Sequence, residues 1–420
     1  MVVVGRGRSN LRAAWTAGRL AARRMFGRAN DERDAVLGEA LTHQLDEMKG
    51  LAMKLGQIVS YMDVPLPAAV TEKLARLQTG EHGMSAEDTR AVLDSALGAD
   101  FETRLDAIDW SPIAAASIGQ VHRARYEGRE IALKVRYPEV AESFRSDLSA
   151  VGRVASLAGL ASAVDGRAIV GELQARLVEE CDYRTEARSQ AMFRAAFATD
   201  AGLEIPEVFE ALSTESTLAT AWSEGIPFAE ALERPQAVRN RYAEALVRFS
   251  YRSLLELGVI QADPHPGNFL FHDDGRVVCL DFGCVRRLEP HFVGYLRQML
   301  EAIEAEDRAS FRGATIGLGM APRPERFDFD HHFETMAHLH RPLLEPGFVF
   351  SSDFIRKGME FNGPTSPNAR VMNMPPAYVW VARLQWGLWS LLNRLRSTAD
   401  LRPILDAILT TESHAACADG

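Results

Sequence analysis

Cysteine is scarce: four residues in 420, at positions 181, 279, 284 and 417, without C-x-x-C spacing. This argues against a disulfide framework or a structural zinc site and predicts reduced thiols in a cytosolic-type compartment. Long apolar runs are also missing. The best stretches, Val154 to Val164 and the Arg-interrupted Tyr378 to Leu392, fall short of a membrane span, so no transmembrane helix is predicted. The main body lacks a basic excess. Seven arginines fall in the first 28 positions and no acidic residue precedes Asp31, leaving 40 basic against 57 acidic groups in the remainder, and no nucleic-acid partner is expected. There is no internal repeat and no low-complexity tract. Asp328, Asp330, His331, His332, Glu334, His338 and His340 cluster without HExxH or another tight ligand spacing, and are expected as surface or core side chains.

What is present centres on Gln261 to Gly283, QADPHPGNFLFHDDGRVVCLDFG. Asp263 is followed five positions later by Asn268 and thirteen after that by Asp281 in a DFG triplet. That is the catalytic-loop and metal-loop spacing of kinase-like phosphotransferases. One carboxylate orients or deprotonates an attacking hydroxyl, while an amide and a second carboxylate hold Mg²⁺ against the nucleotide phosphates. Between them, Phe269 to Phe271 and Val277 to Leu280 flank an Asp-Asp-Gly turn and predict a hairpin.

Upstream, Ala114-Ala115-Ala116-Ser117-Ile118-Gly119-Gln120-Val121 fits a nucleotide-binding loop at its third glycine, Gly119, and at Val121, with alanine in the first two glycine positions. A second hairpin, Val121 to Tyr126 and Glu130 to Val135, carries Ala132-Leu133-Lys134. A lysine inside that apolar run demands a counter-charge. The helical pattern from Arg167 to Phe197 contains Glu180, Asp182 and Glu186, and its spacing places Asp182 and Glu186 on one face, for which Lys134 and Lys54 are the candidate cations. Ile205 to Phe209 and Thr217 to Ala221 are predicted strands, and Pro235 to Leu257 a helix ended by Gly258. No APE triplet and no Ser/Thr-rich activation segment follows Cys284.

The N-terminal pattern is helical from Asp31 to Tyr61, with Lys54 and Gln57 on the flank of a buried stripe. On that pattern alone both are solvated. Before it, Leu11, Trp15, Ala22, Met25 and Phe26 form a stripe beside Arg12, Arg19 and Arg23. This arm suits an anionic membrane or a transit peptide, or equally a basic segment lying on the chain's own acidic surface.

The motifs KLGQ, AAASIGQV, ALKV, ECDYRTEA, ADPHPGN and LDFG, in that order over roughly residues 35 to 290, resemble the UbiB (AarF) family of atypical kinase-like proteins. The resemblance reverses the solvated reading of Lys54 and Gln57. It implies that they lie on an extension folded over the active site, near Glu180 and Asp182, which occludes the groove a protein kinase uses for its peptide. It implies Glu186 as the partner of Lys134. Gln261 departs from the histidine many relatives carry, and Ala221 from the glutamate that often ends the hinge strand.

The expected fold is α+β, a bilobal protein-kinase-like fold with a family-specific N-terminal helical extension and a mostly helical C-terminal lobe. The expected divisions are a basic arm (1–30), the extension (31–110), a small lobe (111–222) and a large lobe with helical tail (223–420). Expected roles are phosphate positioning by Lys134, its orientation by Glu186, base or water orienter at Asp263, and metal binding at Asn268 and Asp281. ATP and Mg are the expected cofactors. The expected function is ATP hydrolysis or phosphorylation of a small molecule or lipid, linked by the resemblance to isoprenoid-quinone (ubiquinone) biosynthesis or lipid homeostasis. The expected location is cytoplasmic, with peripheral membrane contact and a homodimer left open. Two rivals stand beside it: a nucleotide-gated lipid- or protein-binding scaffold without turnover, and a small-molecule phosphotransferase of the aminoglycoside type.

Overall fold

The structure, a computed structural model, describes residues 84–116, 118–138, 182–361 and 365–411. All lie in one compact unit made of Gly83–Ala141 and Gly171–Gly420. The basic arm and the helical pattern over Asp31 to Tyr61 fall outside the described residues.

Helix α1 (Ala86–Leu97) starts where Ser85 accepts a hydrogen bond from the Asp88 amide, with Glu87 and Asp88 at the positive end of the helix dipole. Its Leu93 and Leu97 pack with Phe101 and Leu105 onto Ala124, Ile131, Leu133 and Val135 of the small-lobe sheet. That sheet contains β1 (Ala107–Ile108), β2 (Ala114–Ala116), β3 (Gly119–Tyr126) and β4 (Arg129–Arg136), with β6 (Thr217–Ala221) on the far side of β4. All its pairings are antiparallel. Because β1 pairs with β3, the sheet begins upstream of residue 111.

The β3–β4 turn uses Glu127 and Gly128, both at positive φ (51° and 73°), as a two-residue hairpin requires for its twist to match the strands. Along β4, Ile131, Leu133 and Val135 enter the core, so the two-residue period turns Lys134 to the opposite face.

Helix α2 (Tyr183–Ala196) follows, then β5 (Leu203–Glu204). The strand expected over Ile205 to Phe209 is not formed. Pro206 has no amide to donate to a ladder, and the chain gives only an isolated bridge at Val208 before a 3-10 turn at Glu210–Leu212. Strand β5 instead pairs in parallel with a strand of the large lobe.

The large lobe opens with β7 (Ile226–Pro227) and α3 (Gln236–Leu255). Gly258, at φ 62°, turns the chain into β8 (Val259–Gln261). Strands β9 (Phe269–Phe271) and β10 (Val277–Cys279) form the second hairpin, and β11 (Val285–Arg287) pairs back onto β8. Helix α4 (Pro290–Glu304) comes directly after, then α5 (Arg308–Gly317), α6 (Phe329–Leu344), α7 (Ser352–Phe361), α8 (Pro376–Arg394) and α9 (Arg402–Thr410). Val381, Leu384, Leu388 and Leu391 of α8 enter one large core with Tyr242, Leu246 and Phe249 of α3. The architecture is the bilobal α+β kinase-like fold.

The tail histidines pack among these helices. His338 Nε2 contacts the Phe354 carbonyl at 2.9 Å, and His340 Nδ1 the Met336 carbonyl at 2.8 Å. Burial lowers the pKa of His332 and of His340 from 6.5 to about 4. The unfolded chain therefore binds more protons than the folded one between those values, and stability present at pH 7 is lost as pH falls through about 6.5 toward 4. At pH 5 each histidine should destabilise the fold by about 2 kcal/mol. Urea unfolding at pH 7 and pH 5 measures this, and a His332→Phe/His340→Phe variant should lose most of the difference. An unchanged pH dependence in that variant would assign the acid sensitivity to other groups.

Candidate active site

Four segments converge on one cleft. Strand β4 brings Lys134, α2 brings Glu186, the loop between β8 and β9 brings Asp263 and Asn268, and the loop between β10 and β11 brings Asp281. Lys134 Nζ lies 2.9 and 3.0 Å from the two Glu186 carboxylate oxygens and 3.5 Å from Asp281 Oδ2. Burial alone would favour the neutral amine. Asp281 and Glu186 outweigh it and hold the Lys134 pKa well above its ordinary value, so it stays an ammonium.

Helix α2 is fixed from two sides. Glu186 and Phe193 are two turns apart on one face, and Phe193 packs on Phe282 of the DFG triplet with ring centroids 5.1 Å apart. Phe282 is 1% exposed. The phenylalanine of the DFG triplet therefore supports the helix that holds Glu186 against Lys134.

The two loops are bound to each other. The Ala262 amide donates to the Cys284 carbonyl at 2.8 Å, continuing the β8–β11 pairing. The Gln261 side-chain amide donates to the carbonyls of both Asp263 (3.1 Å) and Asp281 (3.2 Å). Gln261 thus ties the loop carrying Asp263 to the loop carrying Asp281 with neutral donors. Asn268 Nδ2 donates to the Asp263 carbonyl (2.8 Å) and to Asp263 Oδ2 (3.1 Å), which leaves the amide oxygen as an acceptor-type ligand. Asp281 Oδ1 accepts from the Gly283 amide at 2.9 Å.

The Ala-rich segment forms a tight hairpin in which Ala114, Ala115 and Ala116 pair with Val121, Gln120 and Gly119. A Cβ at Gly119 would sit 2.3 Å from the Val135 carbonyl oxygen and 2.8 Å from Tyr183 Oη, so only glycine lets β3 lie this close to β4 and α2. Tyr183 Oη is buried without a hydrogen-bond partner among the described residues. Burial pushes its ionisation up, so it remains a neutral hydroxyl, and the Lys134 ammonium lies 5.0 Å from its ring centroid. An orphaned hydroxyl beside Gly119 and a fixed ammonium suits a polyphosphate. The Asn268 and Asp281 oxygens are the hard donors a Mg²⁺ ion takes.

Asp182 does not share a helical face with Glu186. The helix starts at Tyr183, and Asp182 is its N-cap with extended backbone, accepting from the Arg184 amide at 3.0 Å. Its carboxylate is held by the Arg184 guanidinium at 2.9 Å, which also lowers its pKa. Within the described residues, its cation is that neighbour, and Lys134 pairs with Glu186. Lys54, Gln57, Ser117 and Glu180 lie outside the described residues.

One residue that no motif marks also enters the site. Arg383 of α8 places a guanidinium nitrogen 2.7 Å from Asp263 Oδ1. Among the described residues, no helix is long and apolar enough to cross a membrane.

A family model described as the ABC1 atypical kinase-like domain matches residues 76–314. The atypical kinase COQ8, mitochondrial, of Saccharomyces cerevisiae is 27% identical over 85% of this chain and 73% of its own length. COQ8B of Rattus norvegicus is 32% identical, over 74% of this chain and 60% of its own. The probable protein kinase UbiB of Pasteurella multocida is 28% identical over 77% of this chain and 66% of its own. The solved structure of Rv3197 in complex with erythromycin, from Mycobacterium tuberculosis, superposes with a TM-score of 0.67 at 28% identity, over 90% of this chain and 98% of that one.

Proposed function

Because the chain belongs to the ABC1 atypical kinase-like family of the UbiB type, we propose that it binds ATP with Mg²⁺ and hydrolyses it or transfers the γ-phosphoryl group to a lipid or small-molecule acceptor. The observation that carries this is the Lys134 ammonium held between Glu186 (2.9 Å) and Asp281 (3.5 Å) beside the Asp263–Asn268 loop. Phosphoryl transfer depends on positioned charge, and this cluster is positioned charge.

Lys134 draws in the nucleotide phosphates, and Glu186 keeps its side chain extended toward them. Asn268 and Asp281 would hold Mg²⁺, which supplies the positive charge that neutralises the phosphates. Asp263 orients the attacking oxygen and takes its proton. With α4 starting three residues after β11, there is little chain for a peptide platform, which favours water or a small acceptor over a protein hydroxyl. The names of the COQ8 and UbiB relatives support a link to ubiquinone biosynthesis for this chain as well.

The test is phosphate release by the purified full chain with ATP, with and without Mg²⁺ and with and without anionic liposomes. Mg²⁺-dependent release above the blank is the expected result. Stoichiometric ATP binding with no turnover in any condition would replace this reading with a nucleotide-gated scaffold. Rapid phosphorylation of a soluble aminoglycoside or sugar would replace it with an antibiotic-type kinase.

A further inference from the structure

The catalytic loop Asp263-Pro264-His265-Pro266-Gly267-Asn268 contains no lysine or arginine. Its cation arrives from 120 residues away, as Arg383 of helix α8, 2.7 Å from Asp263 Oδ1. The other carboxylate oxygen takes Asn268 Nδ2 at 3.1 Å, so both oxygens of Asp263 are engaged by fixed donors from different elements. Neither partner is loose: the Arg383 side chain is 18% exposed and that of Asp263 32%. The Arg383 guanidinium carbon lies 5.7 Å from the Trp380 ring centroid, on the preceding turn of the helix.

A second feature shows that α8 is shaped for this approach. Gly387, one turn beyond Arg383 on the same face, lies where a Cβ would be 2.2 Å from Pro264 Cγ. Any side chain there would push the helix off the loop residue that follows Asp263. Glycine lowers helix propensity in a helix interior, and at this position it permits the contact that brings Arg383 to Asp263.

We infer that Arg383 is the positioning residue of this active site: it holds the Asp263 carboxylate in the orientation needed to receive the proton of the attacking oxygen. The inference rests on the phosphotransferase or ATPase reading above. An arginine suits the task because its planar guanidinium fixes direction as well as charge. The group being placed is the one whose misplacement by about 1 Å costs on the order of 100-fold in rate.

The experiment uses the full chain and compares Arg383→Gln, Arg383→Lys, Asp263→Asn and the Arg383→Gln/Asp263→Asn double variant. A radiometric assay under single-turnover and steady-state conditions supplies the rates, and thermal melting is followed for each variant. Arg383→Gln should lower kcat by about 10- to 100-fold with KM for ATP within about threefold. Arg383→Lys should recover part of the rate. In the Asp263→Asn background the same substitution should change the rate less than about twofold, because Arg383 acts through Asp263. Arg394→Gln is the control on the same helix. Its guanidinium carbon lies 4.6 Å from the Phe228 ring centroid, away from the loop, and its kcat should match the parent.

A kcat for Arg383→Gln within twofold of the parent, or above it, overturns the inference, the second outcome making Arg383 a restraint on Asp263. So does a full loss that persists in the Asp263→Asn background, or a loss shared equally by kcat, KM and melting temperature. If Arg383→Gln fails to fold, Arg383→Lys and Gly387→Ala decide. Gly387→Ala keeps the arginine but displaces its helix, and parent-like kcat in both overturns the inference. A parent chain that hydrolyses and transfers nothing fails at the functional reading itself, a result separable from every variant outcome.

Discussion

Asp281→Asn should lower nucleotide turnover by about three orders of magnitude while the chain stays folded. Asparagine has the shape of aspartate and keeps an oxygen that can accept from the Gly283 amide, now at 2.9 Å, so the loop retains its local geometry. What disappears is the negative charge. Lys134 loses one of its two counter-charges but keeps Glu186 at 2.9 Å, so no buried ion is stranded and the melting temperature should move little. On the proposed reading, a Mg²⁺ ion at this site would lose its anionic ligand, and with it the charge that would neutralise the phosphates. A titration of rate against Mg²⁺ or Mn²⁺ at saturating ATP tests this directly. A shallow, right-shifted metal dependence with residual rate is the expected pattern. Turnover near the parent level at ordinary Mg²⁺ would remove Asp281 from the metal site, whatever the fate of Lys134.

The parts of this site that the sequence made legible are those whose information is local. The β3–β4 hairpin follows from alternating apolar residues around a Glu-Gly turn, and it fixes which face Lys134 takes. Asp263, Asn268 and Asp281 are spaced by two short loops and one hairpin, so their convergence needs only local turns. Periodicity places Asp182 inside the helix because it extends through a helix terminus without marking it. The carboxylate pattern looked continuous, whereas an Asp in extended backbone with an Arg two residues on is better satisfied as a cap. The strand expected at Ile205 to Phe209 does not form, because the amide that Pro206 lacks outweighs the apolar pattern around it. Arg383 was invisible for a different reason. It lies on a helix whose pattern is an ordinary core stripe, and nothing near it in sequence signals an aspartate 120 residues upstream. Gly387, helix-breaking and out of place in such a stripe, was the available sign of a close approach.

Glu186→Gln separates stability from catalysis at the other end of the cleft. Glu186 is 5% exposed, and burial raises its pKa against the opposing pull of Lys134. Breaking a buried pair by removing one charge typically costs 3–5 kcal/mol, because the other charge is left without its partner. Here Asp281 remains 3.5 Å from Lys134, so the expected loss is at the lower end, about 3 kcal/mol by urea unfolding. Turnover should fall as well, since Lys134 would swing toward Asp281 and compete with the metal for its carboxylate. The double variant Lys134→Met/Glu186→Leu distinguishes the two effects. It replaces the pair with apolar groups of similar volume beside Ile131, Leu133 and Val135's strand, and most of the lost stability should return. Activity should not return, because the apolar pair offers the phosphates no charge. If the double variant is as unstable as Glu186→Gln, the pair is structural in a way the ion-pair account does not describe. If it regains turnover together with stability, Lys134 has no part in binding the phosphates.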